Sequence, residues 1–282
     1  MGVPLGVPII GIPLYLADTQ LHAFEAEFGE GAESDQEIMM YLRHQTGHAL
    51  NYAYQLYEMP EWRQHFGDYD KPYRDEYWPA PFSPDYVVHL PGWYAQKHPD
   101  EDFAETFAVW LTPGSNWDKS YGRSSAIRKL RFVEKIIGQI EQQAPRAQSM
   151  ERDLDVSEIE ETVEDFYRHR DLDCRVDLQI EDQLDPALRQ LFDPPEEGKP
   201  LASTLIRLSQ NLLIQSATRY SGVGRAVVKT LLGQLTDRTL SMSLTAPVER
   251  NDRYISELTA LVCTLALNYL STGRWFDPQL HS

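Results

Sequence analysis

Arg43-His44-Gln45-Thr46-Gly47-His48-Ala49-Leu50 is the stretch on which the reading of this chain turns. It lies within Gln36 to Tyr57, which has no proline and one glycine, Gly47. Ser34 or Asp35 can cap a helix there, and Glu37 stands at capping-box distance from Ser34. The segment is therefore predicted to form one helix of about five or six turns. His44 and His48 are four residues apart, so both imidazoles project from one face, a turn apart, where both can reach one metal ion.

Imidazole pairs of this kind suit zinc, which binds ring nitrogens at about 2.0–2.1 Å. The established helical zinc motif reads His-Glu-x-x-His, and here the order is His-Gln-x-x-His. The extended three-histidine version is absent, because Asn51 and Tyr54 stand where glycine and histidine are required. A third ligand must come from farther along the chain.

His98-Pro99-Asp100-Glu101-Asp102-Phe103-Ala104-Glu105-Thr106-Phe107-Ala108 can supply it. Proline suits a first helical position, and the acidic residues suit the positive end of the helix dipole. Glu101 and Glu105 are one turn apart, so one carboxylate can bind the metal while the other accepts a hydrogen bond from the outer nitrogen of a ligating histidine. Glu101 is assigned as ligand and Glu105 as the orienting group, with the reverse assignment as the rival. Asp102 is read as a dipole or surface residue. Phe103, Ala104, Phe107 and Ala108 indicate that this helix packs.

Arg-His-x-x-Gly-His followed by His-Pro-x-Glu-Asp-Phe-Ala-Glu-Thr resembles the bacterial "putative zinc-binding metallopeptidase" family over roughly residues 38–140. The layout is also similar to the catalytic domain of anthrax lethal factor, a gluzincin-type enzyme. The resemblance implies a zinc endopeptidase fold with ligands His44, His48 and Glu101. It further implies that Tyr94 stands beside the metal, where a phenol can donate to the oxyanion of a tetrahedral intermediate. It does not reach the C-terminal half.

One position departs from the pattern. The residue after the first histidine is ordinarily a glutamate that takes a proton from the zinc-bound water and returns it to the leaving amine. Gln45 is nearly isosteric but has no carboxylate. Zinc binding should survive, and the chain as it stands should be nearly inactive. An engineered glutamate-to-glutamine knockout and a natural pseudopeptidase that binds a protein partner both account for Gln45, and the otherwise intact site favours the knockout.

The remaining sequence sets the frame. With 282 residues and 42% hydrophobic content, the chain can bury a sizeable core. Its net charge of −17 disfavours nucleic acid as a partner. Two cysteines, Cys174 and Cys263, suggest neither a disulfide framework nor a thiolate metal site. No basic leader and no long uninterrupted apolar run is evident, so a cytoplasmic protein without a membrane span is expected.

Strands are predicted at Val7 to Ile12, Leu14 to Leu16 and Cys174 to Ile180. Helices are predicted near Pro99 to Leu111 and Ser124 to Gln143, then at Val156 to His169, Ala202 to Ser216, Arg225 to Leu235 and Tyr254 to Leu270. The proline- and aromatic-rich stretch 59–92 reads as an irregular segment walling the cleft. The resulting expectation is an α+β zincin-like metallopeptidase domain, residues 1–145, with an active-site helix and a glutamate helix. A mostly α-helical accessory domain, residues 146–282, follows. The substrate would be a peptide or protein.

Overall fold

The computed structural model describes residues 2–28, 33–74, 77–147, 162, 164–165 and 182–275. The chain forms two compact units, Met1–Glu161 and Thr162–Ser282. The first contains helices α1 (Thr19–Phe28), α2 (Asp35–Tyr54), α3 (Pro60–Phe66), α4 (Pro99–Leu111), α5 (Trp117–Ser120) and α6 (Ile127–Ile140). The second contains α7 (Asp185–Leu191), α8 (Ala202–Leu208), α9 (Gln210–Ser221), α10 (Arg225–Ser241) and α11 (Asn251–Thr272).

This architecture corrects the α+β expectation. Among the described residues there is no sheet, only isolated bridges at Gly2–Gly11, Asp193–Thr245 and Leu201–Thr245. The reason lies in the prolines. Pro4, Pro8 and Pro13 remove ladder donors from the N-terminal apolar segment. Of its remaining amides, Val7 and Ile9 close local turns to Pro4 and Val7, and only Gly2 and Gly11 pair across. Leu14–Leu16 is a 3₁₀ turn directly after Pro13. The Cys174 to Ile180 strand and most of the Val156 to His169 helix fall outside the described residues.

The helix α2 begins as its sequence dictates. The Ser34 hydroxyl accepts from the Glu37 amide (3.3 Å), and Glu37 Oε2 accepts from the Ser34 amide (2.9 Å). It ends at Tyr54, three residues short of the predicted Tyr57; Gln55 after it is left-handed (φ 51°), and the chain continues as a 3₁₀ turn at Leu56–Glu58. The 59–92 stretch is not irregular throughout, because Pro60 at the first helical position opens α3. Trp62 and Phe66 of α3, Phe103 and Phe107 of α4, and Phe132, Val133, Ile136 and Ile140 of α6 form the core that fixes α4.

The second unit is held by a core of Leu188, Ile206, Leu213, Val228, Leu231, Leu235, Leu258 and Val262 with their neighbours. The predicted Ala202 to Ser216 helix is broken at Ser209 (φ −96°, ψ 4°). That bend lets Leu205 and Ile206 on one side, and Leu213 and Ile214 on the other, enter the same core. Among the described residues, Val248–Thr272 is long and apolar enough by length and composition to cross a membrane. Its buried residues Tyr254, Leu258, Val262, Leu265 and Ala266 recur at helical spacing and belong to this core. Cys263 is a free, half-buried thiol, and Cys174 lies outside the described residues.

The contact between α2 and α4 is set by one glycine. A Cβ on Gly47 would stand 2.8 Å from Ala104 Cα and 3.1 Å from its carbonyl oxygen, so the two helices cross backbone to backbone. Gly47→Ala must push them apart. The expected result is a loss of about 1–3 kcal/mol of stability from overpacking, together with weakened metal binding. Thermal unfolding and chelator competition on the same variant check both, and an unchanged melting temperature would contradict this account of the crossing.

Candidate metal centre

The crossing at Gly47 places one histidine on either side of it, both facing α4. His44 Nε2, His48 Nε2 and Glu101 Oε2 form a nearly equilateral triangle. The edges are 3.0 Å from His44 to Glu101, 3.1 Å from His48 to Glu101 and 3.1 Å between the two nitrogens. All three residues are buried, and their ligand atoms form a group that could hold a metal ion.

The outer nitrogens are committed elsewhere. His44 Nδ1–H donates to Glu105 Oε1 (2.9 Å), and His48 Nδ1–H donates to Asp100 Oδ2 (3.0 Å). A carboxylate offers only acceptors, so each Nδ1 carries the proton. The Nε2 lone pairs of the neutral rings then point at one another and at a carboxylate oxygen. Three electron-rich atoms about 3 Å apart in a buried site repel unless a cation or added protons lie among them. Zinc at about 2.0–2.1 Å from each nitrogen calls for ligand atoms on the order of 3.3 Å apart in a tetrahedral shell. The donor set fits that group in both chemistry and spacing.

The two carboxylates one turn apart are unequally placed. Glu105 is fully buried, and its Oε2 accepts from the backbone amides of His89 and Leu90 (both 2.9 Å) while Oε1 serves His44. Both of its oxygens are engaged. Glu101 presents Oε2 to the imidazoles, and its Oε1 accepts a short hydrogen bond from the Tyr73 hydroxyl. Tyr94 follows the left-handed Trp93 in a 3₁₀ turn, Tyr94–Gln96. Its ring centroid lies 5.7 Å from that of His44, and its hydroxyl lies 3.4 Å from that of Tyr73. Gln45 is half-buried on the turn between the two histidines.

Several participants lie outside the predicted set. Asp100 is a hub. Besides His48, its Oδ2 accepts from the Tyr52 hydroxyl, and its Oδ1 accepts from Asn51 Nδ2 (2.7 Å). His48, Asn51 and Tyr52 share one face of α2, but only the crossing of α4 brings Asp100 to it. His98 caps α4, its Nδ1 accepting from the Asp100 amide (3.2 Å) and its Nε2–H donating to the Lys71 carbonyl (2.7 Å). Asp102 is buried and not a surface residue; it pairs with Lys129 Nζ at 2.6 Å. Tyr73, from the proline-rich stretch, carried no distinguishing pattern.

The electrostatics follow from this packing. Burial pulls the His48 imidazole down, but the carboxylates of Asp100 and Glu101 outweigh it and raise its pKa to about 10. His44 is likewise pulled down by burial and raised overall by Glu101 and Glu105. Burial pushes the Glu101 carboxyl up, yet its bonds to His44 and His48 hold it well below the usual carboxylate range. Burial, with the Glu101 charge beside it, pushes the Tyr94 phenol up to about 12.

A helical protein with a buried His–His–Glu metal centre, braced by carboxylates on the outer imidazole nitrogens, is thereby defined. The chain belongs to the family described as "Putative zinc-binding metallo-peptidase", whose model matches residues 12–155, just over half of the chain. No curated protein and no solved structure matches it.

Two outcomes are expected. Zinc requires bare Nε2 atoms, whereas the metal-free protein keeps a proton on His48 up to about pH 10. Zinc binding below that pH therefore releases protons, and apparent affinity climbs about tenfold per pH unit for each proton released. Since the folded pKa lies above the unfolded value of 6.5, the protonated pair also stabilises the metal-free fold below pH 6.5. That contribution is lost as pH rises through about 10. Calorimetry in buffers of different ionisation enthalpy counts the protons, and a pH-independent affinity would contradict this. Separately, Asp100→Asn should weaken zinc binding about 10–100-fold, measured by chelator competition.

Proposed function

We propose that this chain is a zinc metallopeptidase of the gluzincin type, with His44, His48 and Glu101 as ligands, held here in a form that lacks its general base. The observation that carries the reading is the convergence of His44 Nε2, His48 Nε2 and Glu101 Oε2 at 3.0–3.1 Å. Zinc in such a site supplies a Lewis acid that polarises a peptide carbonyl and acidifies water.

The chain's own groups divide the remaining work. Glu105 and Asp100 keep both imidazoles in the tautomer that presents Nε2 to the centre. Tyr94 and Tyr73 offer phenolic hydroxyls beside Glu101, where a donor can stabilise a developing oxyanion. Gln45 occupies the position from which a carboxylate would take a proton from water. Its amide can hydrogen-bond water or a peptide but cannot accept that proton. The substrate would be a peptide or protein, and a cytoplasmic setting belongs to the same reading.

Gln45 also favours a second reading, a natural pseudopeptidase that keeps zinc and binds a protein partner without cleaving it. An engineered knockout of a working peptidase accounts better for a site otherwise complete in ligands, orienting groups and oxyanion donors. The substitution Gln45→Glu separates the two. Loss of a general base typically costs about 10²–10⁴-fold in rate, so the zinc-loaded Gln45→Glu chain should hydrolyse peptides faster by that factor. A zinc-loaded Gln45→Glu chain that cleaves nothing in a broad peptide library would favour the pseudopeptidase.

A further inference from the structure

Lys97 stands at the rim of the metal centre, over the two phenols beside Glu101. The ammonium lies 4.5 Å from the centroid of the Tyr73 ring and 5.4 Å from that of Tyr94. These are the two phenols whose hydroxyls stand 3.4 Å apart beside Glu101, with Tyr73 donating to its Oε1. Among the described residues Lys97 pairs with no carboxylate. Lys129 and Lys135, by contrast, pair with Asp102 at 2.6 Å and Glu61 at 2.7 Å.

The position of Lys97 is fixed. It caps the Tyr94–Gln96 turn with a helical backbone, its amide donating to the Tyr94 carbonyl (3.0 Å). The same turn is clamped to the proline-rich stretch, because Gln96 accepts from the Ala80 amide (2.8 Å) and donates to the Ala80 carbonyl (2.9 Å). The ring faces hold the ammonium while, among the described residues, its hydrogen-bond donors are committed to no anion. A half-buried ammonium held in this way is a receptor for a carboxylate. Glu101, to which Tyr73 donates, is already engaged by two imidazoles and a phenol.

We propose that Lys97 is a carboxylate-binding subsite of this centre, taking either the C-terminal carboxylate of a peptide or an Asp or Glu side chain next to the bond presented to the metal. The proposal rests on the peptidase reading for its ligand class, and it names the substrate feature that the reading leaves open. The net charge of −17 gives no long-range attraction to such a ligand, so discrimination is local to Lys97.

The test uses the zinc-loaded chain with Gln45 in place, which can hold peptide without turning it over. Fluorescently labelled alanine-based hexapeptides are titrated as matched sets: free C-terminal acid, C-terminal amide, and amide with one internal Glu or its Gln counterpart. A charge-assisted hydrogen bond predicts that the acid-bearing member of one set binds about 10–100-fold tighter than its neutral counterpart. Preference confined to the free acid identifies the C-terminus as the source, and preference for the internal Glu identifies a side chain. Lys97→Met should erase the preference with zinc content unchanged, and Lys97→Arg should retain it. An acid-to-neutral ratio that is close to one in the starting chain, or that survives Lys97→Met, overturns the subsite, as does failure of every acid-bearing peptide to bind. Hydrolysis by the Gln45→Glu chain is read separately on the neutral peptides, so a failure of the peptidase reading shows as absent cleavage irrespective of any preference at Lys97.

Discussion

The near-contact of Gly47 with Ala104 is the constraint on which the metal centre depends. Two helices normally pack with their axes 8–10 Å apart, separated by side chains. Here the absent Cβ of Gly47 lets the backbone of α2 lie directly on that of α4, with Ala104 offering the smallest side chain short of glycine. Only at that separation can side chains as short as those of His44 and His48 meet Glu101 at bonding distance. They also reach Glu105 and Asp100 with their opposite ring edges. The glycine that costs α2 helix propensity is thus what makes the site geometrically attainable.

From that crossing the rest is arranged in shells. The aromatic core of Trp62, Phe66, Phe103, Phe107 and Phe132 packs the far side of α4 and fixes its rotation, so that Glu101 and Glu105 face α2. Glu105 is further pinned by two backbone amides from the segment at His89 and Leu90. Those bonds tie the proline-rich stretch to the same helix and bring Tyr73 and Tyr94 to the site's open edge. The orienting groups are more deeply buried than the phenols, as a centre that must be rigid behind and accessible in front requires.

The site was more legible in the sequence than the fold around it. His44 with His48, and Glu101 with Glu105, are each related by helical spacing, which survives any tertiary context because it is a property of one helix. Asp100 was read only as a dipole partner, since its use depends on where α2 crosses α4, which no local pattern records. Tyr73 was invisible for a stronger reason: it arrives from an irregular segment in which neither period nor capping constrains direction. The strands expected near the N-terminus do not form, because Pro4, Pro8 and Pro13 interrupt the apolar segment and a residue without an N–H cannot serve a ladder whatever its neighbours prefer. The break at Ser209 was hidden by continuous helical propensity, and only the demand of a shared core bends the chain there.

The charges of α4 give the arrangement its logic. Asp100, Glu101, Asp102 and Glu105 are all buried, within six consecutive positions of one helix. Among the described residues, the only permanent cation bound to them is Lys129, which serves Asp102. Burial pushes even that paired carboxyl up to about 7. Metal-free, the remaining carboxylates favour protons on His44 and His48, which is why both imidazoles are raised despite their burial. Two imidazolium protons and one divalent cation carry the same charge. Exchanging the former for the latter therefore leaves the buried electrostatic balance of the helix pair unchanged. A fold that concentrates four carboxylates behind two histidines is unfavourable as packing alone. Its acidity becomes an asset once the centre it encloses is positive, so the composition of α4 and the metal chemistry of α2 are two sides of one design.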